Sequence, residues 1–309
     1  METILEMKHM EKAYHEHKAV NDISFKMHKG EILCLLGPNG AGKTTSIHMI
    51  AGILKQDGGE VLYKGEKRTK EFQRRIGFVP QDIALYEHLS AYENIRFFAS
   101  LYGLKKDLLK ERIEEALDLA GLSNRRNDAV KTFSGGMKRR LNIACSLAHH
   151  PEIVIMDEPT VGIDPQSRNY ILETIRKLKQ QGTSILYTTH YMEEVEAIAD
   201  EIVIMDHGEI IAKGTLDEIK ASNQQLQNIT IQVEDVTGYH EDDFYQIPGI
   251  KEVSLRGDTL WITSLQSVEN LDHIISMVLK HHMKIKHLLC RQMDLETVFL
   301  QLTGRSLRD

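Results

Sequence analysis

The sequence predicts an α/β chain: a parallel sheet flanked by helices, followed by a smaller α+β unit. Three observations predict it. Short, nearly all-apolar runs recur at residues 31–36, 153–156, 184–188 and 202–205. A helical stretch from about Gln166 to Lys179 lies between two of these runs, and strand–helix–strand alternation implies parallel strands. After a polar stretch, Lys220-Ala221-Ser222-Asn223-Gln224-Gln225, the texture changes to alternating strands and short helices, so the division predicted is 1–225 and 226–309.

The run at 31–36 ends in a Gly-Pro turn, and residues 43–54 read as a helix with Ile47, Ile50, Ala51 and Leu54 on one stripe. From about 88 to 150 the pattern turns helical and reads as an insert in the α/β core. Ser90-Ala91-Tyr92-Glu93 is a capping box opening a helix through Leu101. A second helix over 106–120 carries Leu109, Ile113, Ala116, Leu117 and Ala120, and Gly121 stops it. In the second unit, 229–233 alternates like a half-buried strand, and a weak helix follows near 241–245. Residues 253–256 and 259–263 flank the hairpin signal Gly257-Asp258. An amphipathic helix over 268–279, a strand over 284–289 and a last helix striped by Leu295, Val298, Phe299 and Leu302 complete it. The order is βαββαβ plus a terminal helix, for which a ferredoxin-like split βαβ arrangement is the economical expectation.

Of the 309 residues, 41% are hydrophobic and 27% charged, the balance of a globular chain with a core. The net charge of -7 argues against bulk-charge binding of nucleic acid, which requires a basic footprint. No apolar run approaches the roughly 20 residues of a membrane span, and Met1-Glu2-Thr3 opens no apolar signal core. Cys34, Cys145 and Cys290 are far apart in apolar contexts and read as reduced core thiols. The pairs His149-His150 and His281-His282 have no Cys or carboxylate at metal-ligand spacing, and Trp261 reads as a core residue.

Gly37-Pro38-Asn39-Gly40-Ala41-Gly42-Lys43-Thr44 matches G-x-x-x-x-G-K-[ST] between a predicted strand and a predicted helix. Glycines let successive N–H groups turn inward as an anion nest, and the helix start adds its positive end. Lys43 then reaches the β- and γ-phosphates of a nucleoside triphosphate, and the Thr44 hydroxyl ligates Mg²⁺. Thr45 completes the candidate contacts. The strand at 153–156 delivers Asp157 and Glu158 to its C-terminal end, where ligands gather in parallel sheets. Neighbouring strand residues face opposite ways, so Asp157 is expected at the metal and Glu158 at the attacking water. Thr188-Thr189-His190 ends another strand at that edge and places His190 to donate to the γ-phosphate. Gln81, in Phe78-Val79-Pro80-Gln81-Asp82, is placed to touch Mg²⁺ and the water while sensing the insert.

Phe133-Ser134-Gly135-Gly136-Met137-Lys138-Arg139-Arg140 resembles the signature of ATP-binding cassette ATPases, usually Leu-Ser-Gly-Gly-Gln. The order of phosphate loop, Gln81, signature, Asp157-Glu158, Gly162-Ile163-Asp164 and His190 matches that family through residue 225 or so. The resemblance implies a P-loop NTPase cassette with a parallel core sheet, an antiparallel N-terminal sheet and the helical insert. It implies ATP and Mg²⁺, with Tyr14 stacking on adenine. Ser134, Gly135 and Gly136 would grip the γ-phosphate held by an opposite subunit, and Asp164 would lie at the seam. A second cassette subunit, normally an identical one, is therefore implied. Phe133 replaces Leu, and Met137 replaces Gln and removes an amide. Gly-Gly-Met-Lys-Arg-Arg, with the ending from Asp294 to Arg305, is similar to the drug, antibiotic, lipid and sodium exporter branch. That branch implies separate integral membrane permeases and a place on the cytoplasmic face of the cell membrane. Within it the insert helix opened by Ser90 is the expected docking element for the membrane partner. A cassette acting on ribosomes or nucleic acid is the alternative, disfavoured by the single phosphate loop and the lack of heptads.

Overall fold

The computed structural model describes residues 2–222, 226–265, 267–292 and 295–303. Met1, the 223–225 end of the polar stretch, and Asp294, Gly304 and Arg305 of the C-terminal resemblance lie outside the described residues. The chain divides into two compact units, Met1–Thr215 and Leu216–Asp309. The observed division falls about ten residues before the one read from the polar stretch, because the helix Leu216–Ser222 packs with the C-terminal helix Leu295–Thr303.

In the first unit, β1 (Thr3–Tyr14) and β2 (His17–His28) form an antiparallel hairpin. β4 (Gly58–Tyr63) and β5 (Glu66–Lys67) extend it in the order β2-β1-β4-β5. The central sheet contains β3 (Ile32–Leu36), β6 (Ile76–Val79), β7 (Ile153–Asp157), β8 (Ser184–Thr189), β9 (Glu201–Asp206) and β10 (Glu209–Gly214). Its order is β10-β9-β3-β8-β7-β6, parallel throughout except for β10 at one edge. Every residue of β3, β7 and β8 is buried, as continuous apolar strands covered on both faces must be.

Helix α1 (Lys43–Ala51) shares one core with both sheets, its Ile47 and Ile50 meeting Met7 and Phe25 of the N-terminal sheet and Leu35 and Ile155 of the central one. It ends three residues earlier than its stripe suggests. Gly52 caps it at φ 77°, leaving Ile53 61% exposed while Leu54 packs on the core from the loop. A short α2 (Lys70–Arg75) leads into β6. The insert contains α3 (Ala91–Leu101), α4 (Lys106–Ala120) and α5 (Gly135–Leu147), joined by a core that includes Ile95, Ile113, Leu117 and Leu141. Ser90 and Glu93 form the full capping box at the start of α3. α6 (Pro165–Gln180) packs on β8, and α7 (Met192–Ile198) packs on β3 and β8.

The second unit begins with α8 (Leu216–Ser222) and ends with α11 (Leu295–Thr303). Between them β11 (Leu226–Val233), β12 (Ile250–Arg256), β13 (Thr259–Leu265) and β14 (Ile285–Gln292) form an antiparallel sheet ordered β12-β13-β11-β14. α9 (Glu241–Phe244) and α10 (Leu271–Lys280) contribute Phe244, Ile274 and Val278 to one core with Ile229, Ile231 and Ile262. Two expectations are corrected here. Trp261 is 46% exposed, because strand alternation buries its neighbours Leu260 and Ile262 and turns Trp261 to the opposite face. Cys290 is exposed on the edge strand β14, whereas Cys34 and Cys145 are buried as expected.

Candidate active site

β3 delivers the chain from its buried run into Gly37, and the loop closes on α1 at Gly42. Gly42 has a φ of 97°, and a Cβ there would lie 2.4 Å from the Ala19 carbonyl oxygen, so only glycine fits this backbone approach. The first N–H groups of α1 have no intrahelical partner and form, with the dipole, a positive site for an anion. Lys43 is buried, and its Nζ donates to the carbonyl oxygens of Gly37 (2.7 Å) and Pro38 (3.0 Å). That Nζ also stands 3.3 Å from Glu158 Oε1, a carboxylate equally buried. Burial pushes the Lys43 ammonium below its ordinary pKa, opposed by the Glu158 charge.

Asp157 ends β7 and is 2% exposed. Its Oδ1 accepts from Thr44 Oγ1 at 3.1 Å and from Thr188 Oγ1 at 2.7 Å. Burial raises the Asp157 pKa, while the hydroxyls of Thr188 and Thr44 hold it back. A buried carboxylate paired with a hydroxyl is a hard-oxygen donor set short of positive charge, and it fits Mg²⁺. Glu158 is the next residue and turns away into the left-handed region at φ 43°. Non-glycine residues carry such strain, about 1–3 kcal/mol, only when their surroundings fix them. Here the Glu158 N–H donates to Thr188 O (3.2 Å) and Thr188 Oγ1 (3.0 Å). Thr188 therefore holds the Asp157 carboxylate and the Glu158 backbone, a role that the sequence concealed inside an apolar strand. His190 follows β8, with its Nδ1 3.2 Å from Glu158 Oε2 but without hydrogen-bond geometry.

Lys43, Thr44, Asp157, Glu158 and His190 are thus brought together. Asn39 and Gly40 are exposed, Pro38 and Ala41 are buried, and Thr45 is half-buried in the first turn of α1. Gln81 is exposed just after β6, and its main-chain carbonyl accepts from Arg139 of α5, which also donates to Pro80 O at 2.9 Å. The loop carrying Gln81 is thereby clamped to the helix that the signature opens. Tyr14 is 47% exposed at the end of β1, with Lys12 Nζ 5.7 Å from its ring centre.

The signature forms a second cluster. Ser134 is the N-cap of α5, its Oγ accepting from Met137 N at 3.3 Å. A Cβ on Gly135 would meet nothing within 4 Å, whereas one on Gly136 would lie 2.0 Å from Ser167 Oγ and 3.1 Å from Asp164 Oδ2. Gly136 is required because the start of α6 packs directly against it. Asp164 caps α6, accepting from Ser167 N at 2.9 Å, and that N–H lowers its pKa. Met137, standing where the signature usually has Gln, packs its side chain on the insert core. Among the described residues no hydrogen bond or ion pair joins Ser134–Gly136 to Gly37–Thr44.

A protein-family model described as "ABC transporter" matches residues 20–161. The chain is 43% identical over 317 residues to the linearmycin resistance ATP-binding protein LnrL of Bacillus subtilis (strain 168), covering 99% of this chain and 100% of that protein. It is 36% identical to the Nod factor export ATP-binding protein I of Cupriavidus pinatubonensis, covering 99% and 92%. A solved ATP-binding subunit of an ABC transporter superposes with a TM-score of 0.65 at 32% identity, over 71% of this chain and 92% of the other. The dimeric structure of MJ0796, a bacterial ABC transporter cassette, superposes with a TM-score of 0.64 at 26% identity, over 69% and 99%.

Proposed function

The chain belongs to the ABC transporter family as an ATP-binding subunit, an ATPase coupled to transport, and from that premise we propose how its residues divide the work. ATP lies on the phosphate loop from Gly37 to Thr45, with Lys43 leaving Glu158 for the β- and γ-phosphates and Tyr14 against the adenine. Thr44 and Asp157 would hold Mg²⁺, assisted by Gln81; bound there, the ion would offset charge developing on the phosphoryl oxygens. Glu158 orients the attacking water and takes its proton, and His190 donates to the γ-phosphate.

Ser134, Gly135 and Gly136 serve the γ-phosphate of a second copy, whose own signature serves this chain, and Asp164 lies at the seam. One observation carries this reading: the phosphate loop and the signature are both helix starts suited to an anion, yet among the described residues no hydrogen bond or ion pair joins them. The dimeric cassette among the similar structures supports pairing of two copies.

The dimer drives export through separate integral membrane permeases, from the cytoplasmic face of the membrane. No described helix is long and apolar enough to cross it. Linearmycin resistance and Nod factor export, the roles in the relatives' names, support an antibiotic, drug or other amphiphile as cargo. The permease docks on α3, where Phe97 is 37% exposed and packs edge-on against the half-exposed Tyr86. Glu93 and Arg96 face outward beside them. Purification of the tagged chain from detergent-solubilised membranes tests this. We expect a stoichiometric integral membrane polypeptide, crosslinked from residue 93 or 96. Recovery with ribosomes or soluble proteins alone would overturn it.

A further inference from the structure

Glu194, in α7, is 1% exposed. Burying a carboxylate costs several kcal/mol unless its oxygens are satisfied, and an apolar side chain would fill the same space at less cost. This carboxylate is fully served. Oε1 accepts from Thr160 Oγ1 at 2.6 Å, and Oε2 accepts from Tyr187 OH and Thr189 Oγ1, each at 2.8 Å. Arg168 of α6 brings its Nε to 3.5 Å from Oε1 and its guanidinium to 4.6 Å from the Tyr191 ring centre.

The donors are not scattered. Thr160 lies in the loop that leaves β7, two residues after Glu158. Thr189 is the last residue of β8, immediately before His190, and its Oγ1 also accepts from Tyr191 N at 2.9 Å. One hydroxyl therefore brackets His190 from both sides, and Glu194 fixes the direction of that hydroxyl. The other carboxylate oxygen holds the loop that carries Glu158.

We propose that Glu194 is a positioning residue: its carboxylate ties the turn bearing His190 to the loop after Glu158 and so sets the two side chains against each other. It touches no reacting atom and acts through His190. The proposal rests on the functional reading above for its kinetic consequences, but its geometric claim has a separate readout.

The experiment uses the full-length chain and the variants Glu194→Gln, Thr189→Val and Thr189→Ser, each alone and combined with His190→Ala. Glu194→Gln keeps the shape and loses an acceptor; Thr189→Val removes the bracketing hydroxyl, and Thr189→Ser retains it. We expect kcat for ATP to fall about 10-fold in Glu194→Gln and Thr189→Val with KM changed less than about twofold, and Thr189→Ser to stay near wild type. Added to His190→Ala, either loss should shrink to less than about twofold, since residues acting through one group are not additive. In the nucleotide-free protein the His190 imidazole NMR signals, assigned with His190→Ala, should shift in Glu194→Gln and Thr189→Val but not in Thr189→Ser. Unmoved His190 signals, or losses that multiply fully with His190→Ala, would overturn the proposal. Should His190→Ala leave turnover unchanged, the catalytic reading fails instead, and the imidazole signals still decide whether Glu194 positions that ring.

Discussion

The two helix starts that define the first unit, at Lys43 and at Gly135, offer the same backbone dipole in opposite surroundings. The start of α1 is sealed: Lys43 is buried and held by Gly37, Pro38 and Glu158, and two buried carboxylates stand beside it. The start of α5 is open above Gly135, where a Cβ would meet nothing within 4 Å, while α6 packs on Gly136 and Lys138 pairs with Glu87. A sealed start with its own cation, carboxylates and hydroxyls is equipped for chemistry. An open start whose hydroxyl caps its own helix, and whose neighbouring carboxylate caps α6, is equipped to present N–H groups to something outside the chain. The difference fits the proposed shared site, in which catalysis and recognition are separated within one chain and rejoined between two copies.

Variants at the sealed start should have the largest effects and should divide by role. Glu158→Gln removes a proton acceptor without changing size, and we expect kcat to fall about 10³-fold with ATP affinity within about threefold of wild type. Lys43→Ala removes the buried cation and should instead weaken ATP binding, by about 100-fold in a fluorescent-nucleotide titration. Equal losses of affinity in the two variants would break the assignment of roles.

A smaller effect is expected at the open start. Gly136→Ala places a methyl group against Ser167 and tilts the first turn of α5 away from α6. ATP affinity of the monomer should remain within about twofold, while turnover at high protein concentration drops about 10-fold. A matching loss of monomer affinity would show that the two starts serve one site within the chain.

The smallest effect sharpens the comparison by lying outside it. Burial holds the His149 imidazole down to about 4, where it stacks on Tyr102 at 3.5 Å and contacts Ile76 O at 3.0 Å. The folded chain keeps this ring neutral while the unfolded chain protonates it near pH 6.5, so stability is lost as pH falls from about 6.5 towards 4. Urea unfolding at pH 7 and pH 5 should show wild type losing about 1 kcal/mol more than His149→Gln. Equal losses would remove His149 from the account of acid sensitivity.

How much of this was legible in the sequence depended on whether a signal was local. The phosphate loop, the apolar strands and the Ser90 capping box declare themselves in a few consecutive residues, and the structure places them accordingly. Asp157 and Glu158 were legible because a strand ending in two carboxylates is visible as such. Thr188 and Glu194 were not, because the loop after β7 that each of them holds lies 30 to 34 residues away in the sequence. Trp261 and Cys290 misled for a related reason: an apolar type says what a residue prefers, whereas strand face and sheet edge decide what it gets. The short reach of α1 turned on Gly52, whose left-handed φ outweighs the apolar stripe that continues to Leu54.

Sizing of the Glu158→Gln chain by light scattering, with and without saturating ATP and Mg²⁺, tests the shared site most directly. Slowed hydrolysis should trap the assembled state, so the 35.3 kDa chain is expected to run as a monomer without nucleotide and as a dimer with it. Ser134→Ala together with Gly136→Ala, added to that variant, should return it to a monomer while ATP remains bound. A Glu158→Gln chain that stays monomeric with ATP demonstrably bound would contradict the account.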